Sequence, residues 1–182
     1  LSGGLFGIGF VTVDMRVRHL LKRFITTPMR KSHFLAALML SRFVFNVTEV
    51  GLLLVFAGYV FNVRIVRHVL TSILSIALGA LMFAGLGLLV ASRAKTLETV
   101  SGLMNLTMMP MWILSGTFFS YERFPEVAHP FIRLLPLTPL NDSLRAVMNE
   151  GAAITAIMPE LSIMVVWTVV TFLLALKLFR WY

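Results

Sequence analysis

Residues 69–91 read VLTSILSIALGALMFAGLGLLVA, a run without one charged side chain. At about 1.5 Å of rise per residue, a helix of that length reaches roughly 34 Å, enough to cross a hydrocarbon core of about 30 Å. Ala80 and Ala84, then Gly87 and Ala91, place small residues four apart, a spacing that lets helices approach closely where lipid supplies no hydrophobic drive. The run predicts a membrane span.

Working outward, residues 33–60, 100–119 and 161–178 are further apolar runs long enough to cross. Leu1 to Val13 is too short and reads as the end of a span, with Gly3 and Gly7 as a GxxxG pair. The chain starts inside this apolar run without a basic segment and cleavage site before it, so it reads as the C-terminal part of a longer protein. The expected fold is all-α, a polytopic membrane helical bundle. Composition excludes the alternatives: of 182 residues, 58% are hydrophobic and 13% charged, against about 25% charged in soluble domains. Disorder has the opposite signature. Without cysteine, disulfides and thiolate sites are excluded, and His19, His33, His68 and His129 are too scattered to suggest a metal centre.

The net charge of +8 sits mostly in the gaps between the runs, which argues against nucleic acid. Segments 14–34, 92–99 and 177–182 hold ten Lys or Arg, whereas the alternate connections hold five, balanced by acids. The positive-inside bias therefore places the first set, and the C-terminus, in the cytoplasm. Residues 14–27 read as an amphipathic helix ended by Thr27-Pro28. Val17, Leu20, Leu21, Phe24 and Ile25 form its apolar arc, and Arg16, Arg18, His19, Lys22 and Arg23 most of its other side. Such a helix suits a lipid interface or a cytoplasmic partner.

Arg42, Asn46 and Glu49 are spaced by four and three, so they share one stripe of one helix inside a span. A charge there costs at least about 2.5 kcal/mol on insertion scales and should face the bundle, water or a partner. The stripe fits either a polar seam between helices or the lining of a conduit. Met104, Met108, Met109 and Met111 read as flexible core filler. Pro110 is expected to kink or break the fourth run. From 120 to 150 the chain is proline-punctuated and amphipathic, which suggests short interfacial or re-entrant helices on the outer side.

The stretch Pro110-Met111-Trp112-Ile113-Leu114-Ser115-Gly116-Thr117-Phe118-Phe119, then Pro125, then Leu135-Pro136-Leu137-Thr138, and Asp142 with Leu144-Arg145, resembles the permeases of ATP-binding-cassette exporters that move drugs, polysaccharides or lipid-linked substrates. A basic segment ending at Thr27-Pro28, between a span and a rising span, agrees. The resemblance implies a permease of six spans that dimerises around a path and is driven by a separate or fused ATPase. ATP and Mg would belong to that ATPase, with no cofactor on this chain. It also implies a bacterial or archaeal inner-membrane location, a cytoplasmic coupling helix over 14–27 carrying Arg16, His19, Lys22 and Arg23, a broken span ending at Ser115-Gly116, and an outer re-entrant pair over 120–150 with Pro136, Asp142 and Arg145. One departure is that Gly is absent from 14–27 and only Asp14 is acidic there. The chain holds no P-loop and no catalytic constellation. The competing classes are an ion-coupled secondary transporter, a membrane-embedded enzyme, and a non-transporting membrane structural subunit.

Overall fold

The computed structural model describes residues 2–19, 31–61, 69–115 and 129–179. Those residues form helices α1 (Ser2–Val17), α2 (Lys31–Phe61), α3 (Val69–Ala91), α4 (Leu97–Leu114), α5 (His129–Leu134), α6 (Leu137–Glu150) and α7 (Met158–Leu178). Within them, Ser32–Leu52, Thr71–Ala91 and Met158–Leu178 are long and apolar enough to cross a membrane. The expected crossing over 100–119 is described only as far as Ser115, as the shorter and more polar helix α4.

The run that predicted the fold lies at its centre. In the α3 span 61% of residues are buried, against 17% and 22% in the α2 and α7 spans, so α3 is the helix that the others surround. It packs on α1, α2, α6 and α7. Its glycines each receive a different neighbour. A Cβ at Gly79 would stand 2.7 Å from Leu140 Cδ1 of α6, and one at Gly85 2.3 Å from Thr171 Oγ1 of α7. At Gly87 it would stand 2.5 Å from the Leu5 carbonyl oxygen of α1, where backbone meets backbone and no rotamer change can make room. Ala80, Ala84 and Ala91, on the same helix, are fully or almost fully buried.

The larger core cluster joins Leu5, Phe83, Met104, Met108, Leu140 and Met164, and a smaller one joins Ile8, Phe34, Leu35, Leu88, Ala175 and Phe179. Met104, Met108 and Met111 are the core filler expected of them, while Met109 is exposed.

Three expectations need correction. First, no break separates a span ending at Val13 from a helix beginning at Asp14. Helix α1 continues to Val17, and an exposed Asp14–Arg18 ion pair at 2.9 Å, one turn apart, accompanies its last turn. It ends where His19 enters the left-handed region (φ 57°), a common helix stop. Residues 20–27 of the expected basic helix lie outside the described residues. Second, of the GxxxG pair only Gly7 lies at a close approach: a Cβ at Gly3 would meet nothing within 4 Å, and the tight positions on α1 are Gly4, Gly7 and Gly9. Third, α4 does not break at Pro110. It begins earlier than the apolar run, at Leu97, because the Thr96 hydroxyl caps it by accepting from the Thr99 N–H at 3.2 Å. The helix then runs through Pro110, whose missing N–H leaves only the carbonyl of exposed Leu106 without its helical donor. It stops at Ser115, whose N–H donates to Met111 O at 2.9 Å.

Candidate functional site

Three places carry the polar chemistry of this apolar bundle. The first is at the end of α1. Arg16, in the last turn, is half-buried, and Nη1 donates to Ala91 O at 3.1 Å and to Ala94 O, while Nη2 donates to Ser92 O at 3.1 Å. Those carbonyls close the end of α3, where helix geometry leaves carbonyls without internal donors and the dipole is negative. The guanidinium carbon lies 5.7 Å from the centroid of the Phe179 ring, which follows α7. Phe179 in turn stands 6.1 Å from Phe34 at the start of α2. Burial pushes the Arg16 pKa down, yet an arginine stays charged. The side chain expected on the solvent side of a basic helix is thus turned into the bundle. His19 is exposed, and Lys22 and Arg23 lie outside the described residues.

The second place is the stripe on α2. Asn46 is buried against Gly4. Arg42 lies over Gly7, and its Nη2 donates to Gly7 O at a long 3.3 Å. Glu49 is exposed. Among the described residues no ion pair joins Arg42 and Glu49, because the two turns between them are spanned by neither side chain. The stripe therefore splits: Asn46 and Arg42 seal α2 to α1, and Glu49 faces away from the chain. Ile8, Val11, Met15, Leu38, Ser41, Arg42 and Phe45 line a crevice of about 360 Å³ between α1 and α2.

The third place is the α5–α6 pair. Leu135 N–H and Thr138 Oγ1 both donate to Ile132 O, at 3.1 and 2.6 Å, closing the turn that contains Pro136. Trp167 Nε1 donates to Leu134 O at 2.8 Å, and Leu140 fills the space over Gly79. Trp167 is near the midpoint of α7 and Gly79 near the midpoint of α3, so the turn reaches the middle of both helices. Asn141 Nδ2 donates to Ser115 O at 3.2 Å and approaches Ser115 Oγ at 3.4 Å, tying the end of α4 to this pair. Asp142 is half-buried, and desolvation raises its pKa. Arg145 opposes that shift, Glu160 adds to it, and Arg133 opposes it. Gly116 lies outside the described residues.

Sequence reasoning singled out Asp142 and Ser115 but missed Asn141, the residue that joins α6 to the α4 terminus. It also missed the backbone acceptors of Arg16. A signal for the latter existed: a helix ending at Ala91-Ser92 needs donors for its last carbonyls, and Arg16 supplies them. Among the described residues no three His, Asp or Glu side chains gather as a metal site.

Nodulation protein J of Bradyrhizobium diazoefficiens is 35% identical over 112 residues, covering 62% of this chain and 42% of that protein. Linearmycin resistance permease protein LnrN of Bacillus subtilis is 23% identical over 176 residues, 97% of this chain and 46% of that protein. Nodulation protein J of Rhizobium leguminosarum bv. trifolii is 30% identical over 105 residues, 58% of this chain and 40% of that protein. The chain thus spans less than half the length of these relatives. No solved structure matches it. Residues 3–149 match the ABC-2 type transporter family, from the first glycines of α1 through nearly all of α6, and the chain belongs to that family.

Proposed function

We propose that this chain is part of the permease subunit of an ATP-driven exporter, and that it contributes one wall of a substrate path. The observation that carries the reading is the family match over residues 3–149 laid on a bundle with three helices able to cross a membrane. A relative named as a resistance permease supports outward transport. The energy source is a separate or fused ATPase that binds ATP and Mg. Its contact with the permease is the basic segment that begins at the end of α1, where His19, Lys22 and Arg23 meet the ATPase and Arg16, turned into the bundle, couples that segment to the helices. A second permease copy completes the path as a homodimer, in an inner membrane with the C-terminus cytoplasmic.

The α5–α6 pair acts as a re-entrant cap on the outer side. Support comes from the Trp167–Leu134 bond and the Gly79–Leu140 contact, which put the turn at Pro136 level with the middle of two helices. Backbone that turns at such depth is tolerated where protein shields it, and the Thr138 hydroxyl and Leu135 N–H supply the local bonds. Glu49, exposed on α2, faces the path or the second copy.

The test is transport by the complete permease in vesicles, with and without its ATPase. Transport that stops when the ATPase is left out, or when ATP is withheld, supports the proposal. Transport that continues on a proton gradient alone overturns it in favour of an ion-coupled secondary transporter.

A further inference from the structure

We propose that Arg16 is a positioning residue: a clasp that fastens the basic cytoplasmic segment to the central helix α3 and to the end of α7, so that force on that segment reaches both. The inference deepens the proposed ATP-driven function and rests on it. Arg16 stands one residue before the end of α1 and immediately before the segment that carries His19, Lys22 and Arg23. Its planar fork meets Ala91 O, Ser92 O and Ala94 O, and its face lies over Phe179.

The ends of α1, α3 and α7 thereby meet at one guanidinium, and Phe179 packs near Phe34 at the start of α2. The chemistry needs arginine. Three carbonyls in a fan match a rigid fork of donors, and a flat cation stacks on a ring, whereas an ammonium is a compact point charge on a flexible stem. Neighbouring Arg18 does none of this. It pairs with Asp14 of its own helix, an exposed pair of the kind that contributes little. At the other end of α1, the Gly87–Leu5 backbone contact leaves no slack between α1 and α3. A clasp at one end and a close contact further along make the two helices move together.

The experiment uses the complete permease with its ATPase, reconstituted in vesicles, with Arg16→Lys and Arg16→Gln, and with Arg93→Gln as an exposed control. Transport per ATP hydrolysed is measured beside the amounts of folded permease and bound ATPase. In parallel, spin labels on Arg18→Cys and Lys95→Cys report the spread of distances between the two ends in the permease alone. The clasp predicts normal amounts of folded permease and bound ATPase, a fall of about tenfold in transport per ATP for both Arg16 variants, a broadened distance distribution, and no change for Arg93→Gln. Loss of bound ATPase would make Arg16 a docking contact and overturn the clasp, as would unchanged transport per ATP. A distance distribution as narrow as that of the unsubstituted protein would also overturn it. If the unsubstituted transporter fails to use ATP, the ATP-driven reading falls, while the distance measurement still decides the clasp.

Discussion

Gly87 and Glu49 show how differently two positions on neighbouring helices constrain substitution. A methyl at Gly87 would press on the Leu5 carbonyl at 2.5 Å, whereas one at Gly102 meets nothing within 4 Å. Gly87→Ala is therefore expected to destabilise the detergent-solubilised protein by about 1–3 kcal/mol, the range for overpacking. Gly102→Ala should leave thermal unfolding unchanged or raise it slightly, because alanine favours helix. Equal melting curves for both variants would contradict the α1–α3 contact. Among the described residues Glu49 holds α2 to no neighbour, since the side chain is exposed. Glu49→Gln is accordingly expected to lower transport severalfold while leaving the yield of folded protein as it is, both read in the same vesicles. Parallel losses of the two would assign Glu49 to folding instead.

Helix α6 is the element where electrostatics and packing meet. Desolvation raises the Asp142 pKa despite Arg145 and Arg133, so the folded state holds this proton more tightly than the unfolded chain. Stability from Asp142 is then greatest at acidic pH and declines as pH climbs from the ordinary aspartate range through the raised value. Asp142→Asn should flatten that decline and leave the protein at least as stable at neutral pH, as read by thermal unfolding at several pH values. A neighbouring change, Asn141→Ala, removes donors to Ser115 and should cost about 1 kcal/mol. The sequence made α3 legible to the residue because nothing charged lies between Val69 and Ala91, and both ends coincide with the helix. It was less informative for α1, which is apolar around most of its circumference, so no face reveals that Gly4 rather than Gly3 meets α2. The start of α4 was readable from Thr96, a capping residue, but hydropathy alone moved it inward to Val100. Asn141 and the acceptors of Arg16 were hidden for a common reason: their partners include backbone carbonyls, which every residue has and no pattern marks.

At the scale of the whole molecule, Arg16 stands at the end of α3, whereas the α5–α6 pair packs against the middle of α3 and α7. With α3 surrounded and α2 and α7 largely uncovered, the exposed faces of these two helices are suited to lipid, to the remainder of a longer chain or to a second copy. The proposed orientation can be checked without background labelling, because the chain has no cysteine. A cysteine at Arg93 should react only with reagent on the cytoplasmic side, and one at Ala153, after α6, only with reagent outside. The reverse pattern would invert the topology. Trp167 also offers an optical handle. With Trp112 and Trp181 replaced by Phe, its emission would come from an indole whose N–H is held by the Leu134 carbonyl. Its colour and quenching by aqueous iodide would then follow, in real time, whether the turn beside Pro136 stays seated or withdraws during a turnover.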